Sequence, residues 1–185
     1  MTYDHTQSKT DHHPETLVAL FNALFIPSYN TELICCEAEP IYRPASNEYK
    51  HNRIVFAHDF FASALHEISH WCVAGEARRQ LEDFGYWYEP DGRSIERQAE
   101  FEKVEVKPQA LEWIFSLSAN FEFHFSADNI TLNNQPSSEF KAAVFEQAKN
   151  YLNNGLPLRA KMWSDTLIQY YRPTQHLEVS ELQKP

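Results

Sequence analysis

His66-Glu67-Ile68-Ser69-His70 carries the clearest chemistry in the chain, two imidazoles four residues apart with a carboxylate beside the first. It is the HExxH pattern of metal sites. On a helix a four-residue step turns about 400°, so both rings leave one face and can chelate one divalent ion through neutral nitrogens. Glu67 then stands about 100° round the helix, placed to act on a proton near the ion, and is the candidate catalytic residue. Apolar, proline-free stretches flank the motif, from Asp59 to Leu65 and from Trp71 to Ala74, as a buried helix requires. That setting matters, because three specified residues in five also recur by chance.

Two histidines rarely hold a catalytic metal alone, so a third protein ligand is expected, with positions left open for water or substrate. Glu76 lies six residues after His70, where metzincins place their third ligand, but the glycine that turns their chain is replaced here by Val73. On a continuing helix Glu76 would point about 240° away from His70. Glu102, Glu105, Gln109 and Glu112 offer more, since on one downstream helix they fall within about 80° of each other. Such a stripe is ordinarily a solvated face. Here Val104, Val106 and Leu111 crowd it and Pro108 distorts it, and Glu105 is the chosen ligand. A glutamate on a second helix is the gluzincin arrangement. Gln109, on the same stripe, is a candidate substrate contact.

A His66, His70, Glu105 set is ambiguous in its chemistry. With zinc, Glu67 would take a proton from bound water, as in an HExxH metallopeptidase. With iron(II), two histidines and a carboxylate form the facial triad of non-haem oxygenases, leaving room for dioxygen. A purely structural zinc site would need a fourth protein ligand, and only three good ones are found. Spacing does not choose between hydrolysis and oxygenation.

The elements that must position these residues can be read from periodicity. Residues 1–13 form a polar leader, expected to be flexible, and its His12-His13 pair reads as part of a tail. Pro14 opens a helical pattern with Leu17, Leu20, Phe21, Leu24 and Phe25 on one face. Leu33-Ile34-Cys35-Cys36, Ile41-Tyr42 and Arg53-Ile54-Val55-Phe56 are short β-prone runs. They predict a small antiparallel sheet leading into the HExxH helix, which should end near Gly75. Tyr86, Trp87 and Tyr88 sit in a loop with Gly85, Pro90 and Gly92. Tyr86 and Tyr88 are candidate contacts for an aliphatic ammonium through cation–π attraction, although core packing would use them equally well. Ser94 looks like the cap of a helix over 94–119, broken or kinked at Pro108. Two further helices are expected over 137–154 and 157–171, parted by Gly155 and Pro157. His58 and Asp59 precede the metal helix as a cap or outer support, and His51 and His124 read as structural or exposed. The fold class is α+β, a mostly helical single domain over 14–185 with a zincin-like HExxH helix.

Bulk properties narrow the function. The 185 residues are 43% hydrophobic and 14% aromatic, enough for one core. A net charge of −10 argues against nucleic-acid binding and favours a cationic substrate group, although acidity also simply aids solubility. Three cysteines, two of them adjacent, make no disulfide framework. No signal peptide and no membrane span are visible, so a cytoplasmic protein is expected.

Longer runs decide more than the motif does. Glu39-Pro40-Ile41-Tyr42, Asn52-Arg53-Ile54-Val55-Phe56-Ala57-His58 and Ala64-Leu65-His66-Glu67-Ile68-Ser69-His70-Trp71-Cys72 are three of them. Asp83-Phe84-Gly85-Tyr86-Trp87-Tyr88 and Val104-Glu105-Val106-Lys107-Pro108-Gln109-Ala110-Leu111 complete the set. Together they resemble the bacterial elongation factor P hydroxylase family (EpmC), across about residues 15 to 172. The resemblance implies an enzyme that hydroxylates the lysine of elongation factor P that already carries a β-lysyl extension, the last step of that modification. It implies a metal held by two histidines and a glutamate, here His66, His70 and Glu105, on a fold unlike the jelly roll of 2-oxoglutarate oxygenases. The residues agree on that last point. Jelly-roll oxygenases use HxD or HxE on strands with a later histidine; His13-Pro14-Glu15 stands where a helical pattern opens, and His176-Leu177-Glu178 has no histidine after it. Iron(II) and dioxygen are therefore the expected cofactors, without 2-oxoglutarate, and β-lysylated elongation factor P the expected partner.

Overall fold

A computed structural model describes residues 12–37, 39–57, 60–83, 94–126 and 135–185. The chain opens with α1 (Pro14–Tyr29) and passes through β1 (Thr31–Glu37), β2 (Ile41–Arg43) and β3 (Asn52–Ala57). Then come the HExxH helix α2 (Phe61–Val73), a single 3-10 turn (Arg78–Gln80) and the long α3 (Ile95–Ser118). Helices α4 (Ser138–Asn154) and α5 (Leu158–Tyr171) and a last 3-10 turn (Val179–Glu181) finish it. The described residues are thus mostly helical with one three-stranded sheet, an α+β arrangement rather than a jelly roll. None of the described helices is long and apolar enough to cross a membrane.

The sheet corrects one expectation. Its order is β1-β3-β2, with β3 parallel to β1 and antiparallel to β2, so it is mixed rather than antiparallel. Burial gives the reason. Ile54, Val55, Phe56 and Ala57 are all buried, so β3 is apolar on both faces and takes the centre. The chain reaches the far edge as β2 first and then returns. The open edge of β1 is covered by α1, where the Asn22 amide donates to Leu33 O at 3.1 Å and accepts from Leu33 N at 2.6 Å. Register slips between Cys35 and Glu37.

The helix limits follow local signals. Ser94 caps α3, its hydroxyl accepting from Arg97 N at 3.3 Å, and Ser137 caps α4 through Phe140 N at 3.0 Å. Gly155 closes α4 at φ 100°, a conformation that disfavours any residue with a Cβ. Pro108 does not end α3. A proline inside a helix costs roughly 3 kcal/mol, and burial on two sides offsets it. Leu111 and Phe115 join the main core with α1, α2, β3 and α5, whereas Ala110, Trp113 and Ile114 pack a second cluster against α4. His12, expected in the leader, is half-buried instead. Its ring lies near Phe61, Phe121 and Tyr171, and its Nε2 is 2.9 Å from Ala119 O.

Candidate metal centre

Helix α2 packs its Leu65, Ile68 and Trp71 into the core, leaving His66 and His70 directed towards α3. Their Nε2 atoms converge to 3.0 Å. Glu105 of α3 meets them, Oε1 lying 3.4 Å from His70 Nε2 and Oε2 lying 3.9 Å from His66 Nε2. One ligand atom from each of the three fits within 4.8 Å of the others. The C-terminus of α2 is held from outside, as the Arg159 guanidinium donates to the carbonyls of Trp71, Cys72 and Ala74 at 2.7 to 3.1 Å. A cation on those carbonyls also complements the helix dipole in the turn that bears His70.

The donor set suits a divalent ion. Glu105 is 2% exposed, and its Oε2 has no hydrogen-bond partner among the described residues. A buried carboxylate oxygen left without a partner is costly unless a cation is bound there. Burial alone would raise the Glu105 pKa, but His70 foremost, then His66 and the Gln109 amide, hold it below the usual carboxylate range. His66 has a further contact, its Nδ1 lying 2.8 Å from Oε2 of Glu112, while His70 Nδ1 is buried with no partner among the described residues.

These charges set a pH dependence. Burial works against the charged form of His66, yet the carboxylates of Glu112 first, then Glu105 and Glu67, outweigh it and push the pKa up to about 10. An unfolded imidazole titrates near 6.5. The metal-free protein therefore gains stability from this group in full below about pH 6.5 and loses it as pH rises through about 10. A metal ligand must present a free lone pair. Metal uptake at pH 7 should consequently release about one proton, seen as a dependence of the calorimetric heat on buffer ionisation enthalpy. Uptake with no proton release would refute this charge balance.

Other expected site residues fall as follows. Glu67 is half-buried and lines, with His70, an open surface pocket. Ile54 and Trp71 give that pocket an apolar wall, and Tyr42, Arg78 and Asp83 border it. Arg78 binds Asp83 through both guanidinium and carboxylate, and backbone bonds pair Asp83 with Tyr42. Gln109 is 1% exposed, and its amide clamps the backbone of Ser126 from both ends. Glu76 is exposed beyond the end of α2, and His124 is exposed beside Glu122. His51 bonds Asn30 at 2.6 Å. Tyr86, Trp87, Tyr88, His58 and Asp59 lie outside the described residues. Sequence reasoning left Glu112 without a role. Its only signal was the seven-residue step from Glu105, two turns along one face.

The chain matches the elongation factor P hydroxylase family, EpmC, over residues 20–182. It belongs to that family. A Haemophilus influenzae protein named elongation factor P lysine hydroxylase is 52% identical over 171 residues, covering 92% of this chain and 96% of the relative. The EpmC match spans every described helix and strand from the middle of α1 to the final 3-10 turn. All three converging residues lie inside it.

Proposed function

We propose that this chain hydroxylates the β-lysylated lysine of elongation factor P, completing its modification, with a divalent metal held by His66, His70 and Glu105. The observation that carries the reading is a partly buried two-histidine, one-glutamate cluster, with the glutamate fully enclosed, in a chain of the EpmC family. The relative's name supplies the substrate protein and the lysine. Hydroxylation converts a C–H bond to C–OH. One atom of dioxygen enters the product, and the other leaves as water with two electrons and two protons from an external donor. Iron(II), when bound by such a triad, supplies the dioxygen chemistry.

The protein's own groups would bind and orient the chain. Ile54 and Trp71 offer apolar surface to methylenes, and the carboxylate of Glu67 beside them can hold an ammonium or relay a proton. The net charge of −10 favours approach of the lysyl amines. We assign Tyr86 and Tyr88 to the same aliphatic chain by their position in sequence just after Asp83. A cytoplasmic protein without nucleic-acid or membrane partners fits this reading. Peptide hydrolysis by zinc uses the same ligands, but the family match favours the hydroxylase.

The test is mass spectrometry of β-lysylated elongation factor P incubated with the protein, iron(II), dioxygen and a reductant. A gain of one oxygen atom on the modified lysine is expected, and none without dioxygen. No gain under iron-replete, reducing conditions would reject the proposal, and oxygen-independent cleavage would replace it with a peptidase.

A further inference from the structure

Glu112 is a carboxylate with no surface role. It is 8% exposed and stands on α3 two turns after Glu105, so one helix reaches both sides of the His66 ring. Glu105 faces Nε2, and Glu112 Oε2 lies 2.8 Å from Nδ1. The two histidines are not equivalent, since His70 Nδ1 has no such partner among the described residues. A carboxylate accepts hydrogen bonds and does not donate them, so the hydrogen on this contact belongs to Nδ1. In a neutral imidazole that leaves the lone pair on Nε2, the nitrogen that meets His70 and Glu105. We infer that Glu112 is a positioning residue, which holds the tautomer and ring plane of His66 so that Nε2 presents its lone pair to the metal. This deepens the metal reading proposed above and rests on it. Outer carboxylates of this kind orient a ligand and strengthen its bond to the ion.

A second carboxylate on the same helix supplies the control. Glu102 accepts from Ser137 N at 3.2 Å and Ser137 Oγ at 2.6 Å, joining α3 to the start of α4 without touching either imidazole. The experiment titrates zinc into the metal-free full chain and its variants against a chromophoric chelator, with far-UV circular dichroism to verify folding. Glu112→Ala should bind zinc about tenfold to a hundredfold more weakly. Glu112→Gln, whose amide oxygen can still accept from Nδ1, should lose less, and Glu102→Ala should bind as the unsubstituted chain does. Proton NMR of the zinc-loaded protein gives the second readout. The Nδ1–H of His66 should resonate far downfield and be protected from exchange, move upfield in Glu112→Gln, and exchange rapidly in Glu112→Ala.

Unchanged zinc affinity in a folded Glu112→Ala would overturn the assignment, as would an equal loss in Glu102→Ala. Should Glu112→Ala not fold, Glu112→Gln decides, and unaltered affinity with an unmoved Nδ1–H signal overturns it. An unsubstituted chain that takes up no zinc would overturn this inference and the metal site together.

Discussion

Glu105→Gln should abolish metal binding and hydroxylation together, each falling more than about 100-fold, beyond the range of an outer-shell change. The carboxylate comes from a different helix than the two histidines, so its loss leaves only a two-nitrogen chelate on α2. Glutamine keeps the shape of the side chain, so the metal-free fold should survive. Because the buried Oε2 has no hydrogen-bond partner among the described residues, its replacement breaks no hydrogen bond there. The measurement is metal content after equilibrium dialysis beside product formation by mass spectrometry. A Glu105→Gln protein that binds metal as tightly as the unsubstituted chain would remove Glu105 from the ligand set.

The largest effect on stability is expected from Trp163→Ala, at about 3–5 kcal/mol. Trp163 is fully buried, with ring centroids 5.5 Å from Phe21 and 6.4 Å from Phe25. Those two phenylalanines in turn lie 5.4 and 4.9 Å from Trp71, which follows His70 in the metal helix. The cavity would therefore open behind α2. For a chain of this size that loss corresponds to a fall of roughly 6–20 °C in Tm. Trp163 Nε1 has no hydrogen-bond partner among the described residues, so Trp163→Phe sacrifices only part of the packing and should recover most of the stability. Thermal unfolding of the two variants is the measurement. Equal losses from phenylalanine and alanine would mean that the indole nitrogen matters and that the packing account is wrong.

Much of the helical framework was legible because its signals are local. Leu17, Phe21 and Phe25 recur at helical spacing and are all buried along α1. Ser94 caps α3 by accepting from Arg97 N, a contact that needs only the Ser94 hydroxyl and no glutamate at the third position. Pro108 was harder to read, because a proline can start, kink or stay within a helix. It stays within α3 because cores on both flanks of that helix hold it straight enough to continue. The sheet was misread where pairing is non-local. Three β-prone runs state that strands exist, but the entry of β3 between β1 and β2 depends on which strand most needs both faces covered.

The acidic stripe divides the two kinds of information most clearly. Sequence alone determined that Glu102, Glu105, Gln109 and Glu112 share one face, since that follows from the helical repeat. It also determined that His66 and His70 share a face, and the long runs determined the family. It did not determine whether the stripe meets water. The tertiary structure buries Glu105, Gln109 and Glu112, brings the two glutamates to the histidines of α2, and turns Glu102 to Ser137 at the start of the next helix. Each then has a different partner: Glu105 both histidines, Gln109 the backbone of Ser126, and Glu112 the far nitrogen of His66. The physical reason is that helical periodicity fixes directions around one axis, whereas burial and partners depend on where a second axis lies. That placement was decided by packing α3 between two cores.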